Sequence, residues 1–133
     1  MTDEILKFTK LTFLIHFLLG LVFTILFWLP EVTGPLFGLG DTAELSALSM
    51  LLGALFLGLT IGSLLSFLAK EWKEVKIVVI IENFWLVAGL IAMTINLSVY
   101  NALIYVSLVI NIILLALFCL TFLQQEDKIK PLF

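Results

Sequence analysis

Four long apolar runs divide the chain, and short polar clusters separate them. The runs cover about residues 11–29, 42–69, 75–95 and 102–123. Each reaches the roughly 20 residues that a helix rising 1.5 Å per residue needs to cross a hydrocarbon core of about 30 Å. No water reaches backbone amides there, so a helix, which satisfies them internally, is the expected state. The pattern predicts an all-α membrane protein: one domain over residues 1–133, built as a four-transmembrane-helix bundle with up-down-up-down connectivity.

The separators refine this picture. Pro30 stops the first run, and the apolar connector "PEVTGPLFGLGD" after Leu29 is expected to lie on the membrane surface or fold over the helix ends. Asp41-Thr-Ala-Glu44 has the character of a capping box at the start of the second span. "KEWKEVK" must reverse direction without glycine or proline, which predicts a tight hairpin between the second and third spans. Trp72 in that connector and Trp28 at the end of the first span read as interfacial anchors.

Charge orients the bundle. All seven basic residues are lysines: Lys7 and Lys10, then Lys70, Lys73 and Lys76, then Lys128 and Lys130. In a four-span arrangement they share one side, while Glu31, Asp41 and Glu44 mark the other. The positive-inside rule therefore predicts cytoplasmic N- and C-termini in a cell membrane. The first run follows a segment carrying Asp3 and Glu4 and precedes no A-x-A-like site, so a retained span is expected rather than a cleaved signal.

Composition then excludes the soluble classes. Hydrophobic residues make up 62% of the chain and charged residues 13%, against about half and a quarter in soluble domains. Cys119 is the single cysteine, so no intrachain disulfide can form. No zinc-type His/Cys spacing, Ser–His–Asp set, phosphate-binding loop or dinucleotide fingerprint is present. No catalytic residue, metal or cofactor is expected, and the sparse lysines do not make a nucleic-acid surface.

Candidate chemistry lies inside the spans. His16 is six residues past Lys10, Glu82 six past Lys76, and Ser63 seven before Lys70. All three therefore sit on the order of 9 Å inside the cytoplasmic boundary, as one polar layer. Asn111 sits deeper, toward the outer leaflet. An ionised carboxylate in lipid is costly, so Glu82 must be protonated, paired or hydrated. It fixes helix register through His16, Ser63 or Asn83, forms a proton, cation or substrate site, or bonds across an oligomer interface. Asn83 points about 100° away from Glu82 and serves a different neighbour. Glu82, Trp85, Gly89 and Met93 share a stripe, on which Trp85 and Gly89 are the candidate wall of an apolar pocket.

The second span repeats small residues every fourth position: Ala54, Gly58, Gly62 and Ser66. Gly58 and Gly62 form a GxxxG pair, which lets helix backbones approach closely. His16, Gly20 and Thr24 offer a counterpart on the first span. Packing within the bundle is the expected use, with self-association of protomers as the alternative.

In size and span count the chain is similar to the small multidrug transporters, short four-helix chains with a membrane-embedded glutamate. In that family the acid is on the first helix, where this chain has His16 and no acid, so the resemblance implies architecture and no residue role.

The leading expectation is a non-enzymatic multi-pass membrane protein, an oligomer or an accessory subunit of a membrane complex. Its partners are membrane lipids and either further copies or other membrane subunits. The alternative is a small transporter or channel for protons, cations or an apolar ligand, using Glu82. A third reading is a binding module for a lipid or other apolar ligand near Trp85 and Gly89.

Overall fold

The computed structural model describes residues 3–40 and 42–129. Asp41 and Lys130, to which the sequence reading gave parts in capping and sidedness, lie outside them. The described residues form α1 (Lys7–Trp28), α2 (Pro30–Phe37), α3 (Ala43–Leu68), α4 (Trp72–Ile95) and α5 (Ile104–Ile129), with a 3-10 turn at Leu97–Val99. The four helices α1, α3, α4 and α5 are each long and apolar enough to cross a membrane.

The boundaries differ from the hydropathy runs in instructive ways. Pro30 ends α1 and also begins α2, where its missing N–H costs no hydrogen bond and its fixed φ suits a first helical residue. Gly38, at φ 76°, closes α2 in the left-handed region that glycine tolerates. The connector between α1 and α3 is thus a short helix rather than a loop. Thr33, Gly34 and Phe37 are buried, and Asn101 donates from its backbone and side-chain amides to the carbonyls of Phe37 and Leu36 (3.0 and 2.9 Å). At the start of α3, Thr42 accepts from the Leu45 amide.

A capping box in which Glu71 and Glu74 each accept from the other's end of the turn starts α4 at Trp72, three residues before the apolar run. Trp72 is buried, and its indole N–H donates to Glu126 (2.6 Å). The expectation of an interfacial anchor is corrected here: this tryptophan joins α4 to α5. Trp28 remains half-exposed. Helix α5 continues six residues beyond the expected end at 123, because Gln124, Gln125 and Glu126 keep the helix while lowering its hydropathy.

Packing divides the bundle into two close pairs, α1 with α3 and α4 with α5, and α1 also contacts α5. The connector at residues 69–71 is as tight as expected, yet α3 and α4 diverge from it and touch sparingly. Gly20 explains the first close pair, since a methyl there would collide with the Thr60 side chain. Gly53 likewise leaves room for the Trp28 ring. Gly58 and Gly62 meet nothing within 4 Å, and Ala54 is exposed, while Ser66 is buried. The contacting face of α3 therefore runs through Gly53, Thr60 and Ser63. The expected use of the GxxxG ridge inside the bundle is corrected, because spacing defines a face without naming the helix that meets it.

Burial is inverted relative to a soluble domain. Thr9, Thr12, Thr60, Ser63, Glu82, Thr121 and Gln125 are fully buried beside Phe13, Val75, Val79 and Phe118. Phe84 and Ile95 are each 74% exposed, and large apolar residues cover the outer faces of all four long helices. Lipid is as apolar as leucine, so leucine gains little by turning inward, whereas a hydroxyl or carboxylate does.

Candidate functional site

The polar layer expected from helical rise is assembled. His16 on α1 shares a 2.6 Å hydrogen bond between its Nδ1 and Ser63 Oγ on α3. Its Nε2 lies 3.5 Å from Glu82 Oε2 on α4. The His16 ring stands edge-on to Phe118 of α5, with centroids 5.2 Å apart. All four long helices thus converge on one imidazole.

The pairing is incomplete. Neither Glu82 oxygen has a hydrogen-bond partner among the described residues, although the side chain is fully buried. A lone ionised carboxylate in that setting is too costly to persist.

Asn83 parts company with Glu82, as helical geometry requires. Its Nδ2 donates to Val79 O (2.9 Å), and its Oδ1 accepts from Cys119 Sγ on α5 (3.2 Å). It belongs to the α4–α5 seam.

Beyond the His16 layer, away from the lysines, the two helix pairs separate around a cavity of about 520 Å³. Its wall includes His16, Phe23, Phe56, Trp85, Gly89 and Asn111, and Thr33 and Phe37 of α2 cover it. Phe23, Phe27 and Phe56 stack on one another, and Trp85 meets Phe56 edge-on at 5.9 Å. Among the described residues, no lysine, aspartate or glutamate lines it. The structure places Trp85 and Gly89 on this wall, while Glu82 lies behind His16 and off the cavity surface.

Several residues that matter were not singled out from the sequence. Asn111 was placed by depth only; it faces Gly89, where an added Cβ would stand 3.1 Å from its Nδ2, and its buried Oδ1 has no partner among the described residues. At the lysine-bearing end, Gln125 Oε1 accepts from the Leu6 amide (3.0 Å) and Thr9 Oγ1 (3.3 Å), while its Nε2 donates to Glu4 O (3.0 Å). Thr121 donates to Thr12 (3.1 Å). A signal for the threonines existed: Thr9 and Thr12 extend the buried stripe of His16, Gly20 and Thr24 backwards at helical spacing. Among the described residues, no three His, Cys, Asp or Glu side chains gather as a metal-binding set.

No protein-family model matches the chain, and no curated protein or solved structure proves similar to it.

Proposed function

We propose that this chain is a non-enzymatic, multi-pass membrane protein that binds a small apolar molecule in the cavity between its two helix pairs. The cavity carries this reading: its volume of about 520 Å³ falls within the roughly 300–1,000 Å³ of small-molecule sites. Its aromatic wall offers an apolar body a close-fitting surface. The lysine distribution orients it, with both termini cytoplasmic, the spans alternating in direction and the cavity in the outer half of a cell membrane. The His16–Ser63–Glu82 cluster forms the floor and holds α1, α3 and α4 together beneath the ligand.

The test is equilibrium binding of tritiated dodecane to the detergent-solubilised full chain. Saturable binding is expected, and Gly89→Leu, which fills the cavity beside Asn111, is expected to weaken it at least about tenfold, roughly the loss of one good apolar contact. Binding that stays non-saturable, or is indifferent to Gly89→Leu, overturns the reading.

A second reading has its own observation. Gly58 and Gly62 present bare backbone on the outside of α3, a surface suited to another helix of the same chain or of a partner subunit. Single-molecule subunit counting in native membranes checks it. Dimers or larger assemblies that dissociate on Gly62→Leu support it, and monomers alone exclude self-association.

A further inference from the structure

We infer that the cavity is entered from the side, through a slit between α3 and α4 that faces the bilayer, and that its occupant is one acyl chain of a membrane phospholipid whose headgroup stays at the surface. This names the apolar occupant of the binding reading above and rests on it.

Both ends of the cavity are covered. On the lysine side, His16, Ser63, Glu82 and Phe118 stand across the bundle, one from each long helix, and all four side chains are buried. On the far side, α2 covers the cavity with Thr33, Gly34 and Phe37 buried. Asn101, just before α5, holds α2 by its hydrogen bonds to the Leu36 and Phe37 carbonyls (2.9 and 3.0 Å).

The sides are unequal. Among the described residues, no wall residue of α1 or α5 is exposed. The exposed wall residues of the long helices are Leu48 on α3, at 63%, and Ala88 and Ala92 on α4. Helices α3 and α4 meet at Phe56 and Trp85, edge-on at 5.9 Å. Beyond that contact, α4 contributes Ala88, Gly89 and Ala92 to the wall, so little side-chain bulk stands between the two helices.

The slit has the length of one leaflet. Trp85 at its sill and Asn96 at its head are eleven residues apart, which is about 16 Å of helix at 1.5 Å per residue. Half of a hydrocarbon core of about 30 Å is nearly the same. A chain anchored by its head at the surface therefore brings its methyl end to the sill.

The surroundings favour such a chain. An empty apolar cavity forfeits dispersion contacts along its lining. Lipid gives the helices no hydrophobic gain for closing it. The chain of an adjacent phospholipid restores those contacts and loses no water on entering.

The experiment places the full chain in phosphatidylcholine vesicles with photoactivatable phosphatidylcholines that carry a diazirine near the carbonyl or near the methyl end of one acyl chain. Labelled residues are identified by mass spectrometry. Ile104 and Leu114 of α5 line the cavity and are buried, at 4% and 6%, so a probe in the surrounding lipid does not reach them. They lie ten residues apart, about 15 Å of helix rise. The carbonyl-end probe is expected to label Ile104, and the methyl-end probe Leu114. Ala92→Trp, and independently Leu48→Trp on the facing lip, are expected to abolish both labels while the outward-facing Phe84 stays labelled.

The native pattern alone decides the occupant, whether or not a variant folds. Labelling confined to outward-facing residues such as Phe84, with saturable dodecane binding intact, overturns the inference and leaves the cavity reading standing. Labelling of Leu114 that survives both variants overturns the slit as the route. Absence of interior labelling together with absence of saturable dodecane binding overturns both readings.

Discussion

At the lysine-bearing end, the buried Gln125 amide uses its oxygen for Leu6 and Thr9 and its nitrogen for Glu4, and Thr121 bonds Thr12 nearby. At the far end, the buried oxygens of Asn111 and Thr24 have no partner among the described residues, and the helix pairs stand apart around a cavity. Both ends bury polar groups within apolar spans. At the first, each group answers another and the Phe13–Phe118 contact at 5.5 Å seals the seam. At the second, the polarity awaits an answer. Satisfied polarity works as glue between helices, whereas at the far end two buried oxygens stay unpaired in a region that packs less closely.

Replacing Gln125 with leucine strikes the glued end. It strands the Leu6 amide and the Thr9 hydroxyl, while Lys128 still donates to the Glu4 carbonyl, and the expected loss is about 1–3 kcal/mol of stability, read by thermal unfolding in micelles. An unchanged midpoint would mean that the lysine-bearing end is held by the aromatic seam alone. Glu82→Gln probes the boundary between the two ends. The amide keeps the shape of a neutral carboxylic acid, so the stability change is expected to stay below about 1 kcal/mol. A loss of about 3–5 kcal/mol would identify His16 and Glu82 as a true ion pair whose breaking leaves a buried charge. Gly89→Leu belongs to the open end; the tight approach of the new Cβ to Asn111 Nδ2 (3.1 Å) is offset by the higher helix propensity of leucine, so the net stability change is expected to be the smallest, within about 0.5 kcal/mol, although it blocks the site. A large destabilisation would show that the cavity is tightly collapsed instead.

The sequence made the spans and the polar layer legible for the same reason. Helical rise converts residue number into depth, so His16, Ser63 and Glu82 share a level before any contact is known, and their contacts at 2.6 and 3.5 Å follow. Rotation about a helix was less legible. Ala54, Gly58, Gly62 and Ser66 define a face, but Gly53, Thr60 and Ser63 on the neighbouring face meet α1, since the choice depends on the partner's shape. Helix ends were least legible. Hydropathy fades at Gln124 while hydrogen bonding carries α5 to Ile129, and this hid Gln125 from view. Helix α2 announced itself only by Pro30 at its start and Gly38 just past its end, signals diluted by the glycine and second proline between them. The cavity arises from the divergence of α3 and α4 after a three-residue connector, and no local pattern encodes that angle.

The reach of Gln125 has a consequence for how the protein is made. Its side chain bonds to the Leu6 amide across 119 residues of sequence and to Glu4 across 121. During synthesis α1 and α3 emerge first and can associate while the rest is still on the ribosome. The start of α1 nevertheless waits for the last turns of α5 before these two backbone groups find their side-chain partner. Closure of the lysine-bearing end thus comes last, once the final turns of α5 have been made, and a chain cut short before Gln125 lacks the side chain that the Leu6 amide bonds.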